Sequence, residues 1–422
     1  MGAFSMVALR RAAVASAPVP FRNAVAPVRR RVEATPARLP SVDAFILAER
    51  PEDPVHCLRP ATIAAAARRF VGAFPGDVLY AVKCNPEPRV LRALWAGGVR
   101  HFDCASPAEI ALVRQMFPAA AIHYMHPVKA RGAIAEAYTR FGVRDFVLDS
   151  AEELEKIRAA TGEASDLGLF VRLALPKSGA AYELAGKFGA TPDDTVALLQ
   201  AARGSARMLG LCFHVGSQCE DPAAWTRALA LAGAVIARAG VAVDVVDVGG
   251  GFPVAYPDRT PRPLGDFMTA IRDAAGALGL APAPRLWAEP GRALVAAGTS
   301  VVVQVQRVRG RQLFVNDGVY GSLSDAGVPG FRFPVRLIPA DCRTPAAAAI
   351  DAELFGPTCD SADHMKGPFV VPGCVREGDW LEIGQLGAYG AALRTAFNGF
   401  DRARLVDVAD APLLATAGYP AS

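Results

Sequence analysis

What this chain lacks narrows its chemistry first. Its eight cysteines include no Cys-x-x-Cys pair and its six histidines show no zinc-ligand spacing, so neither a disulfide framework nor a metal centre is indicated. No uncharged apolar run reaches the roughly 18 residues of a membrane-spanning helix, so no membrane partner is expected. A basic tract suited to nucleic acid is missing too, because a formal net charge of +4 is spread thinly over 422 residues. Reduced thiols fit a cytoplasmic-type compartment.

The N-terminus has a deficit of its own. Residues 1–32 hold Arg10, Arg11, Arg22, Arg29, Arg30 and Arg31 but no Asp or Glu, a composition shared by organelle-targeting leaders and disordered extensions. Residues 1–40 are therefore expected to form a disordered or targeting leader, and the protein to be cytoplasmic, or mitochondrial if residues 1–32 are a transit peptide.

What is present is a rhythm. At 52% hydrophobic residues the chain can bury a large core. From about residue 58, short β-rich runs recur at 78–83, 99–105, 122–127, 145–150, 167–175, 210–217, 241–251 and 285–291. Alanine- and leucine-rich stretches such as 107–116, 151–160, 191–202 and 221–239 separate them, long enough for crossover helices. The pattern predicts an α/β fold, a TIM-like (β/α)8 barrel over residues 58–297, with a doubly wound sheet as the alternative. After residue 298 the runs 301–308, 311–317, 333–338 and 380–383 are bounded by Gly, Pro and Asn with little helix between them. Residues 298–422 thus read as a β-rich domain of sandwich-like or barrel-like form. Residues 41–57 are expected to join it through a strand near Ala44–Ala48.

The polar residues fall at the ends of the runs: Lys83; Asp103; His126; Asp149; Arg172; His214 with Ser217; Gly249, Gly250 and Gly251; Glu289 with Arg292. In a barrel these ends converge on one face, where active sites of this architecture lie. Each residue alone has a duller explanation, since a lone His is usually a satisfied core residue and a glycine run usually a turn. Convergence is the argument. Lys83 carries most interest, because an amine held in a desolvated pocket loses its proton more readily and can then attack a carbonyl.

The ordered motifs Tyr80-Ala-Val-Lys83-Cys-Asn, Phe102-Asp-Cys-Ala-Ser106, Phe213-His-Val-Gly-Ser217, Gly249-Gly-Gly-Phe-Pro253, Glu289-Pro-Gly-Arg292, Asn316-Asp-Gly-Val-Tyr-Gly-Ser322 and Gly356-Pro-Thr-Cys-Asp360 resemble the blocks of pyridoxal-phosphate-dependent ornithine/lysine decarboxylases of the alanine-racemase-like fold. The resemblance runs from about residue 42 to 400. It implies that Lys83 carries pyridoxal 5'-phosphate, that Glu289 faces the pyridine nitrogen and that His214 stacks on the ring. Asp103, Arg172, Ser217, Gly250, Gly251, Gly291, Arg292 and Tyr389 are implied as further cofactor contacts. Cys359 would come from the other protomer of a homodimer with shared sites and protonate the α-carbon, while Asp360, Tyr320 and Asp325 would meet the substrate.

The implied substrate is L-ornithine, giving putrescine and carbon dioxide for polyamine biosynthesis. Lysine, giving cadaverine, comes second, because one methylene is discriminated by only roughly 1–3 kcal/mol. A decarboxylase of diaminopimelate or another basic amino acid is the alternative. A catalytically inactive regulatory protein of the same fold is another, although intact Lys83, Glu289 and Cys359 argue against it. The sequence departs from the family at Leu323-Ser-Asp-Ala-Gly327, where eukaryotic members carry Tyr-Asp-His. Asp325 is then either a second ammonium ligand in a shortened loop or a surface carboxylate. His126-Pro-Val-Lys129 likewise replaces Asn-Pro-x-Lys.

Overall fold

Helix Val42–Glu49 opens the folded body, followed by strand β1 (Val55–Leu58) and helix Pro60–Ala73. The computed structural model describes residues 39–176, 186–345 and 347–416, so the leader expected over residues 1–40 lies almost wholly outside the described residues. The strand expected near Ala44–Ala48 is a helix instead. The Ser41 hydroxyl caps it by accepting the Ala44 N–H at 3.1 Å, and Val42, Phe45 and Ile46 are buried at helical spacing. A short apolar run carries either period; the cap decides it.

Eight parallel strands then close into a barrel: β2 (Asp77–Ala81), β3 (His101–Cys104), β4 (Ala121–Tyr124), β5 (Asp145–Leu148), β6 (Gly168–Arg172), β7 (Met208–Cys212), β8 (Val245–Asp247) and β9 (Arg285–Ala288). Each strand is buried on both faces over most of its length, which is why its sequence reads as an apolar run rather than an alternation. Closure is made by β2 against β9, with Asp77 beside Trp287 and Val78 beside Ala288. The crossover helices start at clear signals. Ser106 and Ser150 accept the N–H groups of Glu109 and Glu153 at 3.3 and 3.2 Å, and loss of such a cap costs about 1 kcal/mol. Inside the barrel, Leu79, Met125, Val147, Phe170, Met208, Cys212, Val245 and Trp287 form a plug below the strand ends. The barrel is a packed core, so chemistry is confined to its rim.

The second domain is a mixed eight-stranded sheet. Its strands are β1, β10 (Thr299–Arg309), β11 (Gln312–Val315), β12 (Val335–Ile338), β13 (Ala349–Phe355), β14 (His364–Pro372), β15 (Trp380–Ile383) and β16 (Arg404–Asp407). The main order is β12-β15-β10-β11-β13-β14, with β1 antiparallel to β10 and parallel to β16. Segments on both sides of the barrel in sequence therefore share one sheet. A buried ion cluster ties this junction: Arg59, 1% exposed, meets Glu382 at 3.1 Å and Asp410 at 2.9 Å.

Candidate active site

Lys83 lies in a single 3-10 turn, Val82–Cys84, directly after β2. That turn is pinned from both sides. The Tyr80 hydroxyl donates to the Asn85 carbonyl at 3.1 Å, the Asn85 amide to the Gly387 carbonyl at 2.8 Å, and the Tyr389 N–H to the Cys84 carbonyl at 2.9 Å. Lysine and Tyr389, 306 positions apart in sequence, are thereby held side by side. The Lys83 ammonium donates to Asp103 Oδ2 at 3.0 Å. Burial works against that charge, but the Asp103 and Glu289 carboxylates outweigh it and hold the amine above its ordinary range.

His214 follows β7, and its Nδ1 accepts the Gly216 N–H at 2.9 Å. That leaves the proton of the neutral ring on Nε2. Burial, helped by the Arg172 and Lys83 cations, pushes the imidazole down to about 3, so at neutral pH it is a flat, uncharged plate. Beside it the Gly249–Gly251 loop packs onto the Gly216 turn, and the Cys219 N–H donates to the Gly251 carbonyl at 2.9 Å. A Cβ on Gly251 would stand 2.3 Å from the Gly216 carbonyl oxygen, and one on Gly250 2.6 Å from that of Glu289. Gly251 also has φ +101°, so only glycine fits, and its backbone is left bare to approach a ligand. Ser217 lies in the same turn.

Glu289 follows β9, with its carboxyl pushed well above the usual range by burial and by the neighbouring Asp247 and Asp103. Gly291 and Arg292 come next. The Arg292 guanidinium donates to the Tyr256 hydroxyl at 2.9 Å and to Asp325 Oδ2 at 2.7 Å, and lies 5.2 Å from the centre of the Tyr389 ring. Asp325, expected at the substrate ammonium or on the surface, is found mostly buried against Arg292. The shortened loop folds it inward, where a cation is waiting.

The residues around Lys83, Asp103, Arg172, His214, Glu289 and Tyr389 thus meet at the C-terminal rim, and the family model for pyridoxal-dependent decarboxylases, pyridoxal binding domain, matches residues 60–296. The chain belongs to the pyridoxal-dependent decarboxylases. It is 32% identical over 345 residues to the lysine/ornithine decarboxylase of Selenomonas ruminantium, covering 79% of this chain and 84% of the relative. It is 33% identical over 378 residues to the ornithine decarboxylase of Panagrellus redivivus, covering 83% and 84%. Its fold superposes on the arginine decarboxylase of Paramecium bursaria Chlorella virus bound to agmatine with a TM-score of 0.76 at 27% identity, covering 87% of this chain and 99% of that one.

The donor set of this decarboxylase fits pyridoxal phosphate. A primary amine is present for the aldehyde, a carboxyl for the ring nitrogen and a bare backbone loop for the phosphate. Two buried oxygens, Asp103 Oδ1 and Asp247 Oδ2, lack a hydrogen-bond donor among the described residues, which marks the interior as built for a proton-bearing group.

Cys359 and Asp360 find their polar contacts elsewhere. Cys359 is exposed, and its N–H and thiol both donate to Asn398 Oδ1, at 3.1 and 3.2 Å. Asp360 accepts the Tyr320 hydroxyl through Oδ2 and the Ala362 N–H at 2.9 Å through Oδ1. These bonds hold its carboxylate below the usual range, the Ala362 N–H contributing most. Asp363 fixes the loop, accepting the N–H groups of Val319 at 2.8 Å and Thr358 at 3.1 Å. His126 and Lys129 also follow a barrel strand, but Lys129 is buried in an ion pair with Glu153 at 2.9 Å.

Sequence reasoning did not single out Asp247, Tyr256 or Asp363. A signal existed for Asp247, because a carboxylate inside the apolar run before Gly249 is seldom buried without a partner. None existed for Tyr256 and Asp363, whose partners are distant in sequence.

Proposed function

We propose that this decarboxylase converts L-ornithine to putrescine and carbon dioxide, the entry step of polyamine synthesis, with lysine accepted as a second substrate. We infer further that it acts as a homodimer in which the Cys359–Asp360 loop of one protomer completes the partner's site. The relatives in hand act on ornithine, lysine or arginine by their names, which supports a basic substrate. The observation that carries the finer reading is Asp360. Its carboxylate is held ionised on an accessible loop by a hydroxyl and an N–H, leaving acceptor capacity for a distal ammonium. Asp325 is neutralised by Arg292, so one carboxylate rather than two grips that ammonium, which suits tolerance of an extra methylene.

The cofactor, when bound, supplies an electron sink for the pair left on the α-carbon as carbon dioxide departs. The protein's part is to hold and to move protons. Lys83 anchors the cofactor, with Asp103 positioning its amine and taking up its charge. Glu289 keeps a proton at the ring nitrogen, and His214 fixes the ring plane without titrating. The Gly249–Gly251 loop, Ser217, Gly291, Arg292 and Tyr389 surround the phosphate. Cys359, exposed and lightly bonded, gives the α-carbon its proton. The buried thiols of Cys84, Cys104 and Cys212 are pushed up by burial and suited only to packing.

Carbon dioxide release from ornithine, lysine, arginine and diaminopimelate, with pyridoxal phosphate added, tests the reading. Highest kcat/KM with ornithine, and lysine within about 100-fold of it, is expected. Preference for arginine or diaminopimelate would move the assignment to another basic substrate, and no turnover with any would favour the inactive regulatory protein.

A further inference from the structure

The Cys359 loop is held by a residue from a distant segment. Asn398 Oδ1 accepts both the Cys359 N–H at 3.1 Å and the Cys359 thiol at 3.2 Å. A main-chain N–H can only donate, so the atom it meets is the amide oxygen, and the sulfur facing that oxygen points its proton there. Asn398 itself stands in the left-handed region at φ +53°, which a short polar side chain tolerates better than most. The segment that carries it is anchored independently. Arg394 donates to Asp317 Oδ2 at 2.9 Å and to Ser322 Oγ at 2.7 Å, and the Thr395 N–H donates to the Tyr320 carbonyl at 2.9 Å. The Phe397 ring packs on Tyr320 with centres 4.8 Å apart, and the Tyr320 hydroxyl donates to Asp360. Cys359, Asn398, Phe397, Tyr320 and Asp360 thus form a closed ring of contacts.

We propose that Asn398 is a positioning residue for protonation of the α-carbon: its amide oxygen grips the main-chain N–H and the S–H of Cys359 together, so the sulfur is presented in one orientation with its proton in place. The inference rests on the reading of Cys359 as the proton donor. In the step it serves, the S–H bond breaks, the new Cα–H bond forms with the pair left by carbon dioxide, and the S–H bonding pair stays on sulfur as a thiolate. Cys359 is exposed, so solvent returns the proton. A thiol is a weak donor, so turning the S–H away from Asn398 costs little while the N–H bond keeps the loop still. Accuracy matters because the pair left by carbon dioxide is spread over the cofactor, which offers a second carbon to a stray proton. Protonation there leaves the amino group on the cofactor as pyridoxamine phosphate, and water, supplying the oxygen, releases an aminoaldehyde instead of the amine product.

The test is a stoichiometry. Carbon dioxide, amine and aminoaldehyde are counted for the full-length holoenzyme acting on whichever basic amino acid it turns over fastest. The wild type should give equal amounts of amine and carbon dioxide. Cys359→Ala, without the donor, should release about one carbon dioxide per site with little amine, and then stop as its cofactor is converted to pyridoxamine phosphate. Asn398→Gly removes the oxygen but accepts the left-handed backbone, so it separates the side chain from the turn. Its aldehyde fraction should rise about tenfold and its kcat for amine fall about tenfold, with KM within about twofold of the wild type because Asp360 keeps its own contacts. Asn398→Asp retains an acceptor for both donors and should restore most of the amine yield. Equal amine and carbon dioxide from Asn398→Gly, with Cys359→Ala altered, overturns the proposal and leaves Cys359 in its role. Equal aldehyde from Asn398→Asp and Asn398→Gly overturns it as well. If Cys359→Ala also matches the wild type, the reading of Cys359 itself has failed. Should Asn398→Gly not fold, Asn398→Ala removes the same oxygen and gives the same comparison.

Discussion

Replacing Asp325 by Asn separates two roles that the sequence left open. The Arg292–Asp325 contact is 2.7 Å long between side chains 7% and 14% exposed, so the pair is little screened by solvent. A charge-assisted hydrogen bond of this kind contributes roughly 1.5–3 kcal/mol. Without it the guanidinium is held by the Tyr256 hydroxyl and by the Phe331 and Tyr389 ring faces, 4.9 and 5.2 Å away. If Arg292 serves the phosphate, its misplacement should weaken cofactor affinity by about 10- to 100-fold, at roughly 1.4 kcal/mol per factor of ten. Titration of pyridoxal phosphate by visible absorbance measures this. At saturating cofactor, kcat/KM for ornithine should stay within about threefold of the wild type. Unchanged cofactor affinity with kcat/KM for ornithine reduced by about 10- to 100-fold would refute the argument and return Asp325 to the substrate.

Other outcomes follow from the same geometry. Asp360→Asn keeps both loop contacts and removes the charge, so kcat/KM for ornithine should fall by about one to two powers of ten with cofactor affinity intact; steady-state kinetics with and without excess cofactor would check this. Inactive Lys83→Ala and inactive Cys359→Ala chains, mixed and allowed to exchange, should regain part of the activity, whereas no recovery despite confirmed exchange would remove Cys359 from a shared site. Acid stability has a defined sign. His56 and His214, with native values of about 4 and about 3 against 6.5 unfolded, each bind their proton earlier in the unfolded chain, which lowers stability as pH falls below 6.5. Asp247, at about 6 natively against 3.8, acts in the opposite sense between those values. Glu289, held well above its usual range, acts in the same sense as Asp247. Between pH 6 and 4 His214 by itself should contribute a loss of about 1.4 kcal/mol per pH unit, and denaturant unfolding of His214→Asn over that range should show the slope changed by about that amount.

The barrel was legible because its strands are buried on both faces and end in polar side chains. Each of the eight runs read from the sequence overlaps one strand, with β2, β4 and β7 beginning one or two residues earlier than read, and helices Pro107–Met116 and Ala151–Ala160 fall where the alanine-rich stretches predicted them. The second domain was less so. Its hairpin β13–β14 alternates buried and exposed residues across a register shift between Ala352 and Leu354, which breaks the period that sequence reading relies on. Near the site, residues at strand ends were legible one by one, but their couplings were not. Arg292 finds Asp325 across 33 positions and Val319 finds Asp363 across 44, and no local pattern records such pairs. The helix at Val42–Glu49 was lost to the ambiguity of a short apolar run.

The most direct test is where the cofactor is attached. Borohydride reduction of the loaded protein, followed by proteolysis and mass spectrometry, should place a pyridoxyl group on the peptide containing Lys83, and Lys83→Ala should lose that adduct, the visible band and carbon dioxide release from ornithine together. An adduct on another lysine, or a Lys83→Ala protein that keeps its reducible cofactor and turns over ornithine, would contradict the assignment of this site.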